Sequence, residues 1–257
     1  MDKMKRMKKN VLWTLGLAGI FMLLVMSINR KQSSTITKLV VIIKPIKGDK
    51  NLINDAEVVL NLRKFLGYDI RSAKINDINT IELENLIKSD QRVKSAEVYL
   101  DSKNRLNVWI IQRQPVVRIV DDRNVSYYID DEGAKISTRR GQAVRVPVAT
   151  GYIDLYDEAV FKSDKKSVLK EVYKTAKLIM EDDFASALIE QIDVDTNKDI
   201  SLIPKIGRQR IIIGNADDLP YKLNSLKTMY KEGIPMVGWQ KYRGINLKYK
   251  GQVIGEF

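Results

Sequence analysis

The stretch Val93–Gln112, VKSAEVYLDSKNRLNVWIIQ, decides the fold of the first half of the chain. Apolar and polar residues alternate along Val93–Asp101 and again along Arg105–Gln112, and the polar residues 101–104 separate the two runs. Alternation with a period of two around polar turn residues predicts a β-hairpin. We expect the core face to be formed by Ala96, Val98, Leu100, Leu106, Val108 and Ile110.

A strand and two helices are predicted upstream of the hairpin. Ile36–Ile46 is rich in Val and Ile, which favours a strand. Asn54–Gly67 has a capping residue with Glu three positions later, an apolar stripe at helical spacing and a terminal glycine. A shorter helix begins at Asn79 with the same capping pattern. The predicted order is strand, helix, helix, strand, strand, which gives a three-stranded sheet with two helices on one face.

Beyond Pro115 the chain becomes rich in strands and turns. The predicted strands are Val116–Val120, Ser126–Ile129, Ala134–Ser137, Ile189–Val194, Ile200–Ile206, Gln209–Ile213, Gly244–Lys250 and Gln252–Phe257. Ile189–Ile213 has the pattern of an antiparallel meander. Helices are predicted at Asp164–Met180 and from Asp218, as cap, to Gly233. The fold class is therefore α+β, with a first module at 36–114 and a mixed β-rich domain with two or three helices at 115–257.

An apolar segment precedes both modules. Val11–Ile28, VLWTLGLAGIFMLLVMSI, has 18 residues without a charge, and as a helix it would extend about 27 Å, close to the hydrocarbon thickness of a bilayer. A cleaved signal peptide would have a shorter apolar core and a small-x-small site after it. A buried helix of a soluble fold would not ordinarily follow the five cations in residues 3–9. We therefore predict an uncleaved transmembrane helix at 11–28.

The basic flank sets the predicted orientation. Residues 1–10 contain five cations and one carboxylate, net +4, and the positive-inside rule places such a flank in the cytoplasm. We expect a cytoplasmic basic tail at 1–10, a tether at 29–35, and the bulk of the chain in the periplasm or its extracytoplasmic equivalent. The predicted location is a single pass through the inner (cytoplasmic) membrane.

The composition excludes several kinds of chemistry. The chain has no cysteine and no histidine, so disulfides, thiol nucleophiles, iron–sulfur clusters and histidine triads are excluded. The formal net charge of +12 is spread along the chain beyond the basic tail. It therefore does not mark a nucleic-acid surface, and nucleic acid is not expected as a partner.

Two acidic clusters and two tryptophans partly match patterns of metal, catalytic or sugar-binding sites. Asp193, Asp195, Asn197 and Asp199 alternate as at the start of an EF-hand, but Lys198 stands where glycine is needed and Pro204 where the last ligand should be. The run 181–183 offers carboxylates for a wall-cleaving enzyme, but a charge run at a helix end is usually solvated. Trp109 and Trp239 are expected in core or interface contacts. We expect no catalytic residue, metal, cofactor or small-molecule substrate.

Six features of the chain occur in the order found in the FtsQ/DivIB family of bacterial cell-division proteins. They are the basic tail with its apolar segment, the first module, Gln112-Arg113-Gln114-Pro115, Tyr127-Tyr128-Ile129-Asp130-Asp131-Glu132-Gly133, Val146-Pro147-Val148-Ala149-Thr150-Gly151, and a C-terminal block. That block comprises Arg210–Gly214, Tyr221-Lys222-Leu223, Leu226, Ile245–Tyr249 and Gln252-Val253. The chain resembles this family, and the first module resembles a POTRA domain.

The chain departs from the family pattern at three places. Gln112 stands where the family often has Glu, and Asn246 where it often has Asp. The first strand closes with Lys47-Gly48-Asp49 and lacks the usual Val-x-Gly-Asn.

The resemblance implies a non-enzymatic bitopic scaffold of the divisome that acts in septum formation at the division site. It implies FtsL and FtsB/DivIC-like bitopic proteins as partners of the β domain, with the septal wall-synthesis proteins FtsW and FtsI beyond them. Two other readings stay open. One is a membrane-tethered POTRA accessory of polypeptide transport, which would be expected to show further repeats or a barrel. The other is a carboxylate-based cell-wall enzyme.

The end of the chain is the predicted binding site, because a late strand at a sheet edge exposes unpaired backbone groups to an incoming segment. The alternative is that its apolar residues face inward, above all Leu247 and Val253. Tyr249 and Phe257 are the better candidates, since aromatic residues are enriched in interfaces. The predicted strip consists of Tyr249, Lys250, Gly251, Gln252, Val253, Ile254 and Phe257.

Overall fold

A computed structural model of the chain describes residues 13–26, 34–47, 51–121, 125–138 and 143–257. The chain divides into two compact units, Met1–Lys44 with Ile53–Ile111, and Pro45–Leu52 with Gln112–Phe257. The predicted basic tail 1–10 and residues 29–33 of the predicted tether lie outside the described residues.

Residues 13–26 form helix α1, which is the described part of the predicted segment 11–28. Its large apolar side chains are exposed, among them Phe21 and Leu23. Among the described residues, no helix combines the length and the apolar character that crossing a membrane requires. The ends of the predicted segment, 11–12 and 27–28, lie outside the described residues.

The first unit has the predicted order of strand, helix, helix, strand, strand. Its elements are β1 (Lys38–Lys44), α2 (Asp55–Leu66), α3 (Thr80–Lys88), β2 (Val93–Leu100) and β3 (Arg105–Gln112). In the described residues they form a three-stranded sheet of order β1-β3-β2, in which β1 and β3 are parallel. Single 3-10 turns at Ile70–Ser72 and Ile75–Asp77 connect α2 to α3.

Local capping fixes both helices of this unit. Asn54 Oδ1 accepts a hydrogen bond from Glu57 N at 2.8 Å, and Asn79 Oδ1 accepts one from Glu82 N at 3.3 Å. Gly67 ends α2 at a positive φ of 77°, where a residue without a Cβ is unstrained. Both predicted caps are confirmed.

One buried cation joins the helices of this unit to its sheet. Arg92 is 3% exposed and donates hydrogen bonds to Glu57 on α2 at 2.8 Å and to Asp90 at 2.5 Å. The guanidinium is therefore held by two carboxylates, as a buried charge requires. This contact fixes the start of β2 against the first turn of α2.

The second unit contains nine strands in its described residues. They are β4 (Pro115–Val120), β5 (Ser126–Asp130), β6 (Lys135–Ser137), β7 (Val148–Gly151), β8 (Ile189–Val194), β9 (Ile200–Pro204), β10 (Arg210–Gly214), β11 (Gly244–Asn246) and β12 (Ile254–Glu256). They form one sheet of order β12-β11-β10-β9-β8-β7-β4-β5-β6. The antiparallel meander of β8, β9 and β10 is confirmed.

Helices pack against this sheet. They are α4 (Glu158–Lys162), α5 (Val168–Glu181), α6 (Asp183–Leu188), α7 (Leu219–Thr228) and α8 (Ile234–Val237), with a π-helical turn at Met229–Gly233 between the last two. The predicted apolar stripe of α5 is buried, including Leu169, Val172, Ala176 and Ile179. It packs into one core with Ile192 and Leu202 of the sheet, both fully buried. The α+β class is confirmed.

The described residues contain more helices in this unit than the two or three predicted. The predicted helix at 164–180 begins at Val168, because Asp154 Oδ2 accepts a hydrogen bond from Val168 N at 2.7 Å. A new helix, α6, follows at once, because Asp182 Oδ1 accepts a hydrogen bond from Ala185 N at 2.7 Å.

Asp218 stands at the N-cap position of α7, as predicted, but its side chain does not cap the helix. Its backbone is left-handed, with φ 51°, and the side chain makes no capping hydrogen bond. The α-helix stops at Thr228, short of the predicted Gly233, and continues as the π-helical turn and α8.

Candidate functional site

The carboxyl end of the chain forms one edge of the nine-stranded sheet in the described residues. β11 pairs in parallel with β10, and β12 pairs antiparallel with β11. In the second pair Ile245 lies opposite Gly255, and Asn246 lies opposite Ile254. Since β12 is the outermost strand, half of its backbone N–H and C=O groups point away from the sheet.

The last two strands are shorter than predicted. Gly244–Lys250 and Gln252–Phe257 were expected, but residues 247–253 form the connection between β11 and β12. Leu247 is 3% exposed and its N–H donates to Ile212 O at 2.8 Å, so the chain stays bound to β10 for one residue beyond β11. It then turns, with Gln252 N donating to Tyr249 O at 3.3 Å and Gly251 at a φ of 79°.

The structure places only Ile254 of the predicted strip within a strand. Tyr249, Lys250 and Gly251 lie in the turn, Gln252 and Val253 lead into β12, and Phe257 follows it. The apolar members are exposed, with exposed fractions of 58% for Tyr249, 39% for Val253, 40% for Ile254 and 78% for Phe257. The inward orientation considered for Leu247 is correct, whereas Val253 does not face inward.

Aromatic contacts hold one side of β12. A Cβ at Gly255 would overlap the ring of Tyr242, so the lack of a side chain lets that ring lie on the strand. The rings of Tyr242 and Phe257 are 5.3 Å apart at 56°, and Lys241 Nζ is 5.8 Å from the centre of the Phe257 ring. Arg243 N donates to Glu256 O at 2.7 Å. These contacts hold the last residues in an extended conformation at the edge.

The other face of β12 carries Ile254 and the carboxylate of Glu256. Asn246 Nδ2 donates to Glu256 Oε1 at 3.2 Å. A Cβ at Gly244 would lie 2.6 Å from Glu256 Oε2, so this carboxylate lies over the opposing glycine. The edge therefore has aromatic rings on one side and a carboxylate with its amide partner on the other.

Two lysines support the strands beneath this edge. Lys222, on α7, is 8% exposed, and its Nζ donates to Ile213 O at 2.8 Å and to Asn215 O at 3.0 Å. Burial lowers the pKa of Lys222. Lys248 Nζ donates to Asp199 Oδ2 at 2.5 Å, and this hydrogen bond raises the pKa of Lys248. Neither role could be predicted from local sequence patterns, because the acceptors lie on other elements.

Two family models of known proteins match the chain. The family model described as FtsQ/DivIB, C-terminal related, matches residues 114–256. The chain belongs to the FtsQ/DivIB family. A POTRA-like domain model matches residues 37–111, which confirms the resemblance of the first module. No curated protein matches the chain.

Membership of the FtsQ/DivIB family gives the protein a coarse function. The family points to a scaffold of bacterial cell division, with a place at the division site and with other division proteins as partners. Both matched domains are of non-catalytic scaffold types.

The family motifs of this FtsQ/DivIB protein have structural roles. Arg113 Nη1 donates to Asp130 Oδ2 at 2.7 Å, which joins two motifs that are 17 residues apart. Asp130 is fully buried, and its Oδ1 accepts hydrogen bonds from Glu132 N and Ala134 N at 3.0 and 2.7 Å. A Cβ at Gly151 would overlap Val194 O, so that motif ends in glycine for close packing of β7 against β8.

Acidic residues of the runs 193–199 and 181–183 also have structural partners. Asp195 Oδ1 accepts hydrogen bonds from Asn197 N and Asp199 N at 2.8 and 2.9 Å and so shapes the turn between β8 and β9. Asp182 caps α6. In the part of the chain that the structure describes, no three acidic residues are grouped as metal ligands would be. The ring of Trp239 packs edge-on against Tyr230 at 5.9 Å.

Proposed function

We propose that this FtsQ/DivIB-family protein is a non-enzymatic bitopic scaffold of the bacterial divisome that links early and late division proteins during septum formation. Its β domain binds the extracytoplasmic parts of FtsL and FtsB/DivIC-like partners. Through them it communicates with the septal wall-synthesis proteins FtsW and FtsI. We also propose the boundaries 36–114 for the POTRA domain and 115–257 for the partner-binding domain. The two units divide near residue 111, and Pro45–Leu52 groups with the second unit.

The proposed topology is a single span of the inner membrane by residues 11–28, with the amino terminus in the cytoplasm. Two features of the sequence support it, the 18-residue run without charge and the net +4 of the residues before it. The exposed apolar side chains along α1 also suit a lipid environment.

The observation that carries the proposal is the exposed, apolar edge formed by β12. β12 is short and carries the exposed Glu256, as edge strands often do, but Ile254 and its neighbours Val253 and Phe257 also expose apolar surface. An extended partner segment can add a strand here, with backbone hydrogen bonds for affinity and apolar contacts for specificity. The proposed contact residues are Tyr249, Lys250, Gly251, Gln252, Val253, Ile254 and Phe257.

Introducing a charge into the exposed apolar surface of β12 tests this edge. We expect Val253→Lys to abolish co-purification of the full chain with its FtsL and FtsB/DivIC-type partners, because a charge would be buried beside the added strand. Unfolding is not expected, since Val253 is 39% exposed. The matched control is Ile206→Lys, another exposed apolar residue of the same unit, 66% exposed and in the connection between β9 and β10.

Two results are decisive. Loss of the partners from the Val253→Lys chain with retention by the Ile206→Lys chain, and unchanged circular dichroism in both, supports the edge. Normal co-purification by Val253→Lys would remove the strip from the proposal.

A further inference from the structure

The sheet of the first unit has an outer face rich in aromatic and aliphatic side chains. Its core face includes Leu106, Val108 and Ile110, none more than 1% exposed. Because side chains alternate along a strand, the residues between them lie on the opposite face. Trp109, Ile42 and Tyr99 are 41%, 40% and 49% exposed. We call this the outer face, and its residues include Lys38, Val40, Ile42 and Lys44 on β1, Glu97 and Tyr99 on β2 and Trp109 on β3.

The outer face has the chemistry of a bilayer boundary. Ile42 and Trp109 are direct neighbours in the parallel pair of β1 and β3. Lys38 and Lys44 stand at the two ends of β1 on the same face. Tryptophan and tyrosine favour the depth of the lipid headgroups, and lysines there extend their charge outward while their stems cover apolar surface.

The acidic groups of this face lie away from β1. Alternation places Glu97 and Asp101 on the β2 side, and Asp101 Oδ2 already accepts a hydrogen bond from Arg105 Nε at 2.6 Å. The half formed by β1 and Trp109 is therefore the cationic and apolar half. This distribution fits a surface with anionic headgroups better than it fits a cationic protein.

The chain limits how far this unit can be from α1. Ile75 N donates to Ser34 O at 3.0 Å and Ile36 N donates to Ala73 O at 3.1 Å, so residues 34–36 are fixed to the unit. Only residues 27–33 separate them from the last described residue of α1. Seven residues allow a distance of at most about 28 Å between residues 26 and 34.

We propose that the outer face rests on the headgroup region of the bilayer in which α1 is anchored. This inference depends on the membrane anchoring put forward under Proposed function. The contact uses Trp109 and Ile42 as the apolar part and the exposed Lys38 as the part that meets anionic lipid. It fixes the orientation of the first unit against the membrane, whereas α1 alone fixes only its distance.

The three tryptophans of the chain permit a direct test. Trp13 lies on α1, Trp109 on the outer face and Trp239 in the second unit. Three full-length variants keep one tryptophan each, with Phe at the other two positions. Each is reconstituted into vesicles of phosphatidylcholine and phosphatidylglycerol whose acyl chains are brominated near the headgroup, and tryptophan emission is compared with that in unbrominated vesicles.

We expect brominated lipid to reduce the emission of the Trp109 variant about twofold, since the ring would lie at the headgroup boundary. The Trp13 variant should also be quenched and the Trp239 variant should not. Unquenched Trp109 beside quenched Trp13 overturns the contact and leaves the anchoring of the proposed function intact. Unquenched Trp13 removes the anchoring itself. Equal quenching of Trp239 indicates nonspecific adsorption and also overturns the contact.

A second pair of variants tests whether the outer face makes the contact. In the Trp109 variant, Ile42→Glu should restore most of the lost emission, because a carboxylate would face anionic lipid. The control is Ile81→Glu on α3, which changes a side chain that is 69% exposed in the helix layer and should leave quenching unchanged. Quenching that survives Ile42→Glu contradicts the proposal. If Trp109 emission changes with the protein-to-lipid ratio and not with bromination, the outer face contacts a second copy of the chain. That result also contradicts the proposal.

Discussion

Within the described residues, the two outermost strands of the nine-stranded sheet differ in the burial of their apolar side chains. At one end, β6 directs Ile136 fully into the core and exposes Lys135 and Ser137. At the other end, β12 leaves Ile254 40% exposed, with the exposed Phe257 beside it. The same sheet therefore has one edge with its apolar residue buried and one edge with apolar residues in solvent.

Side-chain contacts complete the β6 end. Lys135 Nζ lies 4.4 Å from the centre of the Tyr127 ring, and Thr138 Oγ1 donates to Ser126 O at 2.8 Å. A short edge strand with an exposed lysine disfavours pairing with another chain. β12 is equally short and carries the exposed Glu256, but its apolar residue Ile254 and the adjacent Phe257 are exposed, and the proposed strand addition rests on this difference.

The largest expected effect is a difference in the free energy of unfolding between alanine substitutions at the two edge strands. Ile136→Ala should lower the free energy of unfolding of the second unit by about 2–4 kcal/mol, because it leaves a cavity at a fully buried site. Ile254→Ala should cost less, about 0.5–1 kcal/mol, since the residue is 40% exposed and leaves no closed cavity. Urea unfolding of the full-length chain that keeps Trp239 as its single tryptophan, followed by tryptophan emission, measures both. Equal losses would contradict the contrast between the two edges.

A smaller effect is expected from the ring that covers β12. Tyr242→Ala removes the aromatic contact with Phe257 and uncovers Gly255, which should cost about 1 kcal/mol. Partner affinity should fall about tenfold, because the strand is no longer held extended before binding. Isothermal titration with the partner ectodomain measures this loss. The matched control is Tyr221→Ala, which changes an exposed tyrosine on α7 and should leave partner affinity unchanged. Equal losses of affinity in both variants would contradict the preorganisation argument.

The smallest effect concerns the ion pair of Lys248 with Asp199. Both side chains are about one-third exposed, so Asp199→Asn should cost no more than about 0.5 kcal/mol, and high salt should abolish the difference. The hydrogen bond raises the pKa of Lys248, so the contribution is present at neutral pH and is lost as the pH rises through that raised pKa. Urea midpoints at neutral and strongly alkaline pH measure it. A salt-independent loss above about 1 kcal/mol would show that the pair does more than the structure indicates.

Features that depend on nearby residues were predicted well from the sequence. Asn54 and Asn79 cap their helices through bonds to residues three positions later, and the alternation at 93–112 forms the expected hairpin. The meander of β8, β9 and β10 also follows from local patterns and short turns.

Features set by distant parts of the chain could not be predicted in this way. Asp154 sets the start of α5 from 14 positions away, and Leu247 stays on β10 through a bond to Ile212 O, which shortens the last two strands. For the candidate site, a late edge strand was predicted, and β12 is the outermost strand of the described sheet. The ring of Tyr242 over Gly255 could not be foreseen, because sequence alone does not show which faces meet.

Backbone amide exchange of the full chain, with and without the ectodomain of an FtsB/DivIC-type partner, tests the central claim most directly. Strand addition at β12 should slow exchange at the outward-facing amides of residues 254–256 and leave residues 135–137 of β6 unchanged. Protection at β6, or protection elsewhere with β12 unchanged, would contradict the assignment of β12 as the binding edge.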